Sequence, residues 1–308
     1  MEQNSTLTQP SDTLNFKRRD VYQEVTDTII NQLEKGTVPW QKTWTETNTG
    51  FQLPKNYATG NNYRGINILL LWCASKDKQY SSNDWASYKQ WVSKKEAIRK
   101  GEKGNLIVYT DTYEKEVDGE LQKIPFLKYS VVFNRCQLAS YNPEEKIASS
   151  NEKSLVEKID HAEDFVANTF ASIEHVDGMA AYNPTKDKVY MPHASTFIDS
   201  DNCSATESYY SVLFHELTHW TGHSTRMDRK IKNKFGNHAY AEEELIAELG
   251  AAFLSSELSI STPEKINHAG YIANWLTVLK DNKYFIISAA SEASKAVEYM
   301  KGLQPLKL

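Results

Sequence analysis

The sequence predicts an α+β fold in two domains, and three observations carry that prediction. At 308 residues the chain has room for two domains of ordinary size, each with its own core. Apolar residues recur with helical spacing in some segments and alternate as in strands in others. A polar, charged stretch near the middle divides the chain, and the charge changes sign across it. Residues 17–142 carry 19 Lys and Arg against 14 Asp and Glu, whereas residues 143–308 carry 16 against 24. A basic half joined to an acidic half points to nucleic-acid contact by the basic one. The expected organisation is a disordered tail at 1–16, a first domain at 17–142, a linker at 143–154 and a second domain at 155–308.

The elements follow in order. Val21, Val25, Ile29, Ile30 and Leu33 predict a helix over 18–35, with Gly36 able to end it. Residues 38–63 are rich in Pro, Asn, Thr and Gly and read as a loop with Trp40 and Trp44 embedded in it. Residues 66–74 form a compact apolar run and predict a buried helix. Residues 82–99 read as a helix carrying Trp85, Tyr88 and Trp91. Residues 106–113 and 126–134 alternate as two strands, with an acidic turn at 114–122 between them. In the second half helices are expected over 155–171, 206–220, 240–258 and 284–301. Another starts at Thr262-Pro263-Glu264, where Pro suits a first helical turn. A strand pair is expected at 175–182 and 188–191, turning at Asn183-Pro184.

Composition excludes several classes. Hydrophobic residues are 40% and charged residues 24%, an ordinary globular balance. No apolar run reaches the 18 residues of a membrane span. The polar start MEQNSTLTQP lacks the apolar stretch of a secretory leader, so a cytoplasmic protein with no membrane partner is expected. That also disfavours a secreted or toxin-like protease. Cys73, Cys136 and Cys203 are scattered and odd in number, which fits buried thiols in a reducing compartment.

The chemistry concentrates at His215-Glu216-Leu217-Thr218-His219, an H-E-x-x-H motif. On a helix, positions i and i+4 share a face, so both imidazoles reach one ion while Glu216 addresses a water beside it. Catalytic zinc takes three protein ligands and keeps one position open. Gly222 stands where a metzincin has its glycine, but the third histidine of that pattern would fall at Thr225, and His223 comes two residues too early. The other source is a glutamate on the next helix, where Glu242, Glu243, Glu244 and Glu248 stand. Glu244 and Glu248 resemble the gluzincin arrangement, a ligand followed four residues on by an acid that orients a histidine. Glu244 is the expected ligand and Glu243 the alternative; Glu242 suits the helix start electrostatically. The residues do not choose among zinc, manganese and cobalt. Residues 188–191 are the candidate edge strand for pairing with a substrate backbone. Tyr240, His238 and His223 are candidate donors to a developing oxyanion, unassigned among themselves.

The chain as a whole resembles the ArdC-type antirestriction proteins. The likeness is carried by GTVPWQKTW (36–44), LPKNYATGNNYRGINILLLW (53–72), RKGEKG (99–104) and VVFNRCQ (131–137). YNPTKDKVYMP (182–192), FHELTHWTGHSTRMDR (214–229) and YAEEELIAELGAAFL (240–254) carry it in the second half. The resemblance implies a single-stranded-DNA-binding first domain and a zincin-like, gluzincin-like metallopeptidase second domain. It implies one Zn2+ per chain, with Mn2+ or Co2+ as substitutes, and an unidentified protein or peptide substrate. Bases would stack on aromatics along a basic track. The candidate contacts are Trp40, Trp44, Lys55, Asn56, Tyr57, Tyr63 and Arg64, then Arg99, Lys100 and Lys103. Trp72 and Trp91 read better as core, and Lys-Gly-Glu-Lys-Gly serves equally as a plain turn. The function implied is protection of incoming mobile DNA against restriction. The alternative is a DNA-shielding protein whose metal is structural, against which the intact Glu216 argues.

Overall fold

In a computed structural model the described residues are 19–41, 52–117, 120–142, 155–200, 203–229, 238–262 and 268–305. The expected tail and linker, Trp44 and the proline start at 263 fall outside them.

Helix α1 (Val21–Glu34) begins where the Asp20 side chain accepts from the Gln23 amide and ends at Gly36, whose φ of 74° an L side chain rarely adopts. Helix α2 (Ile66–Asp77) buries every residue from Ile68 to Cys73, so it has no solvent face in that stretch. Between them and beyond lies a four-stranded sheet in the order β1-β2-β4-β3. Its strands are β1 (Lys55–Asn56), β2 (Asp84–Ala86), β3 (Asn105–Val117) and β4 (Glu120–Asn134).

Two expectations are corrected here. Residues 82–99 do not form one helix, because Trp85 and Ala86 pair with Asn134 and Phe133 of β4. Only α3 (Tyr88–Ser93) is helical, started by a Ser87–Gln90 capping box. The acidic segment 114–122 is not a turn either. The ladder continues to Val117 opposite Glu120, and Glu114 stands opposite Lys123. The backbone of the segment is taken up by this pairing, which depends on the partner strand and not on local turn signals.

The second half holds α4 (Leu155–Ala167), then strands β5 (Ser172–His175), β6 (Ala181–Asn183) and β7 (Lys188–Met191). Four helices follow: α5 (Ala205–Thr221), α6 (His238–Leu258), α7 (His268–Asp281) and α8 (Phe285–Gly302). The expected edge strand 188–191 is the centre of its sheet, order β5-β7-β6. It pairs in parallel with β5 and antiparallel with β6, so both of its hydrogen-bonding sides are taken.

The two domains share a core instead of having one each. Its largest cluster runs from Ile29 and Leu33 of α1 through Leu69 of α2 to Phe214, Phe253 and Ile286. Asp20 and Glu34 at the ends of α1 form ion pairs with Lys283 and Lys280. Gly65, at φ 56°, lets the chain turn into α2 with its amide on Ser294 Oγ, 2.8 Å away on α8. Two small clusters, around Trp85 and around Trp91, belong to the first domain alone. Among the described residues no helix is long and apolar enough to cross a membrane.

Candidate metal centre

Helix α5 starts from a reciprocal cap. Ser204 Oγ accepts the Glu207 amide, and the Glu207 carboxylate accepts the Ser204 amide and hydroxyl. The other Glu207 oxygen accepts the Ser261 amide at 3.0 Å, tying the start of α5 to the segment after α6. Burial pushes the Glu207 carboxyl up, but these donors hold it below the usual range.

Three turns on, α5 presents His215 and His219 one above the other, with their Nε2 atoms 3.2 Å apart. Glu244 comes to both from α6, its carboxylate oxygens 3.6 Å from each Nε2. One donor atom from each of the three lies within 4.8 Å of the others. Ligands about 2.0–2.1 Å from a tetrahedral ion stand roughly 3.3–3.4 Å from one another. The donor set therefore fits one divalent ion in spacing and in chemistry.

The helices reach this proximity at Gly250. A Cβ there would lie 2.5 Å from Thr218 Cγ2 and 2.6 Å from its Oγ1. Thr218 cannot readily retreat, because it is buried and its hydroxyl donates to the Phe214 carbonyl at 2.7 Å.

A carboxylate stands behind each imidazole, hydrogen-bonded to His219 but not to His215, whose Nδ1 has no hydrogen-bond partner among the described residues. Glu243 Oε1 lies 3.1 Å from His219 Nδ1, and Glu248 Oε1 lies 3.5 Å from His215 Nδ1. Glu243 is itself gripped by Arg229, whose Nε and Nη2 reach its two oxygens at 3.1 and 2.9 Å. Arg229 also donates to the Thr218 carbonyl and to Thr221 Oγ1, so it locks the end of α5 to α6. The structure thus separates the two candidate glutamates, with Glu244 in the donor set and Glu243 behind His219.

Charge follows the geometry. Burial alone would lower the His219 pKa, but Glu243, Glu244 and Glu216 outweigh it and raise it. Burial pushes Glu243 up, whereas His219 and Arg229 hold it below the usual carboxylate range. Glu244 is pushed up by burial and pulled down to about 2 by His215, His219 and a hydrogen bond from Tyr240. Glu216 is buried and lines a cleft of about 280 Å3 together with His215, Glu244 and Glu248. His223 bonds Thr225 and stands outside the donor set.

The candidate DNA residues disperse. Trp40 is 1% exposed, edge-on to Trp275 of α7 at 5.3 Å, and its residue lines the metal cleft. It cannot stack on bases there, because burial leaves no ring face free. Tyr63 packs beside Trp85, and Asn56 Oδ1 closes its own turn by accepting the Ala58 and Thr59 amides. Arg99 pairs with Glu102 and donates to the Cys136 and Leu138 carbonyls, so its guanidinium is committed. Arg64 is well exposed but pairs with Glu298 of α8. Lys55, Lys100 and Lys103 are exposed. Tyr57, 39% exposed, stacks on Trp91 at 4.8 Å beneath the guanidinium of Arg135. Tyr88 stands 59% exposed on neighbouring α3. Sequence reasoning did not select Arg135, Tyr88 or Arg229; the contacts of Arg135 with Tyr57 and of Arg229 with Glu243 join separate segments of the chain.

Comparison with known proteins completes the description. The family model described as the N-terminal domain of anti-restriction factor ArdC matches residues 19–133, and a zincin-like metallopeptidase model matches residues 160–292. The crystal structure of the metal-free antirestriction ArdC protein from plasmid R388 is 38% identical. It superposes with a TM-score of 0.74, covering 92% of this chain and 98% of that one. The Mn(II)-bound structure of that protein is 35% identical with a TM-score of 0.75, covering 94% and 100%. An uncharacterized protein of Sinorhizobium fredii, y4eC, is 33% identical over 92% of both chains. The DNA primase TraC of Escherichia coli is 32% identical over 92% of this chain, which spans only 27% of that protein.

Proposed function

The chain belongs to the ArdC antirestriction family, and from that premise we propose that it binds single-stranded DNA through its first domain and hydrolyses peptide bonds at a zinc centre in its second. The carrying observation is that His215, His219 and Glu244 offer one ion-sized donor set in the cleft that also holds the buried Glu216. A purely structural site has no use for such a carboxylate beside an open cleft.

In this reading His215, His219 and Glu244 hold the ion, and Mn2+ or Co2+ can replace zinc. Bound there, a divalent ion supplies Lewis acidity to a carbonyl and to water. The Glu216 carboxylate takes a proton from the attacking water as its oxygen bonds the carbonyl carbon. It returns that proton to the departing amide nitrogen as the C–N bond breaks. Glu243 accepts from His219 Nδ1, fixing that imidazole with its Nε2 in the donor set, and Glu248 supplies negative charge 3.5 Å behind His215 without a hydrogen bond. Arg229 keeps Glu243 ionised for that task. Tyr240 holds Glu244.

For DNA, the support is the exposed Tyr57 on its Trp91 backing with the Arg135 guanidinium over it, and the exposed Tyr88, Lys55, Lys100 and Lys103 elsewhere in the same domain. Backed aromatics with nearby cations are what base stacking along a single strand requires. A match between this chain and part of a DNA primase agrees with work at DNA. Protection of incoming mobile DNA would then combine strand binding with proteolysis of a protein not yet identified.

Two measurements test the reading. Affinity for a single-stranded oligonucleotide should fall with salt by about 0.7 log unit per log unit of salt for each phosphate contacted. Salt-insensitive binding refutes the DNA half. Transfer of DNA into a restricting host should lose its protection with Glu216→Ala; undiminished protection refutes the peptidase half and leaves a DNA-shielding protein.

A further inference from the structure

The four-stranded sheet ends at β3, and the free edge of that strand opens into a groove between the two domains. The groove measures about 500 Å3, a size that suits a ligand site. Ile287, Ser291 and Lys295, at four-residue steps along one face of α8, line it across from Thr110 of β3. Asn67, at the start of α2, lies against the edge beside it.

Asn67 fixes the direction of the backbone at this edge. Its Oδ1 accepts the Val108 amide at 2.8 Å, and its Nδ2 donates to the Val108 carbonyl at 2.7 Å. Both polar groups of Val108 therefore point away from β4, as in a ladder position without mutual hydrogen bonds. These directions alternate along a strand, so the N–H and C=O of Thr110 point the same way, toward the groove it lines. Pro125, which has no N–H, stands opposite Thr112 and agrees with this register. Among the described residues no strand lies beyond β3, and neither backbone group of the exposed Thr110 has a partner.

The Asn67 carboxamide makes with Val108 the two bonds that a residue of a neighbouring strand would make. It covers one position of the edge and leaves the next, roughly 7 Å further along, uncovered. An open strand edge is a template for another chain. The rest of the lining defines what that chain carries. Leu127 and Ile287 are apolar, and Arg64 and Lys295 are two cations against Glu298 as the one anion. Arg64 pairs with Glu298 and Lys295 with Glu292 only at the surface, so both can turn to an incoming carboxylate at little cost.

We propose that this groove takes an extended peptide segment of a partner protein as an added strand on β3. The segment exchanges backbone hydrogen bonds with Thr110. An apolar side chain packs against Leu127 and Ile287, and an acidic residue reaches Arg64 and Lys295. A single DNA strand matches the cations but not the edge, whose N–H and C=O recur at polypeptide spacing. The proposal goes beyond strand binding and peptide hydrolysis, and the groove shares no lining residue with the metal cleft.

The test selects a phage-displayed library of random dodecapeptides on the full chain, then measures the enriched peptides in solution by fluorescence polarisation. The expected peptides alternate apolar residues and carry an acidic one. Ser291→Trp, at an exposed position of α8, fills the groove and should weaken them at least about 10-fold, as when two ladder hydrogen bonds are prevented. Thr110→Pro is the companion variant: it removes the outward N–H, which an edge strand tolerates, and should weaken them by a similar factor. Methylating the peptide amides one at a time should cost about 10-fold at an amide facing β3 and little at its neighbours. A library that enriches nothing overturns the proposal, as do peptides that bind both variants like the parent or ignore backbone methylation. Oligothymidylate binding that is lost in Ser291→Trp, with no peptide bound, would assign the groove to nucleic acid and overturn it equally.

Discussion

Substituting Gly250 tests whether the closeness of α5 and α6 sets the metal geometry. In an ordinary helix interior Gly→Ala stabilises by about 1 kcal/mol. At Gly250 the new Cβ would lie 2.5 Å from Thr218 Cγ2, against about 3.5–4.0 Å for a comfortable carbon contact. The helices must part by roughly 1 Å, or Thr218 must give up its bond to the Phe214 carbonyl. Overpacking of this kind costs about 1–3 kcal/mol, which offsets or exceeds the helix gain. Metal sites accept ligand displacements of about 0.2 Å, so a separation of this size should weaken zinc binding at least on the order of 10-fold. Removing the threonine methyl and hydroxyl takes away the two nearest atoms and leaves Thr218 Cβ at 3.1 Å, so Gly250→Ala with Thr218→Ala should recover most of both losses. Thermal melts and competition against a chromogenic zinc chelator measure the two effects. A Gly250→Ala protein that is more stable and binds zinc like the parent would refute the reasoning.

Two further outcomes follow from the same site. Glu243→Gln should lower zinc affinity by about 10–100-fold without abolishing binding, as expected for a group that orients a ligand. Arg229→Met, which strands the Glu243 carboxylate in the interior, should cost about 3–5 kcal/mol of stability in denaturant unfolding; a loss below about 1 kcal/mol would mean the pair is dispensable. Glu207 has its folded pKa depressed, so its contribution is present above the unfolded value of about 4.3 and lost as pH falls through the folded one. Glu207→Gln should therefore destabilise by about 1–2 kcal/mol at neutral pH, and the difference from the parent should shrink below pH 4. A difference that stayed constant down to pH 3 would show that its charge is not what matters.

The helices were legible because their signals are local. The α5 helix expected over 206–220 runs Ala205–Thr221, and the i, i+4 spacing of His215 and His219 already implies a shared face. The proposed roles of Glu244 and Glu248 likewise start from a local signal, a four-residue spacing on one helix. What escaped depended on contacts between distant segments. Whether Trp85 is helical or extended is decided by Asn134 of β4, nearly fifty positions later. Residues 188–191 have the composition of an edge strand, yet two neighbours from different segments enclose them. Trp40 read as a free aromatic in a polar loop; α1 carries it against Trp275, at the far end of the chain. Arg229 had no spacing rule to announce it, because its partner Glu243 lies on the next helix.

The metal content of the purified, folded protein is the most direct test of the central claim, measured beside His219→Ala, Glu244→Ala and Glu243→Ala at saturating zinc. The result expected is about one zinc per chain, lost with His219→Ala and Glu244→Ala and kept with Glu243→Ala. Zinc kept without Glu244 and lost without Glu243 would contradict the assigned donor set, and a folded protein that takes up no divalent metal would contradict the metallopeptidase account as a whole.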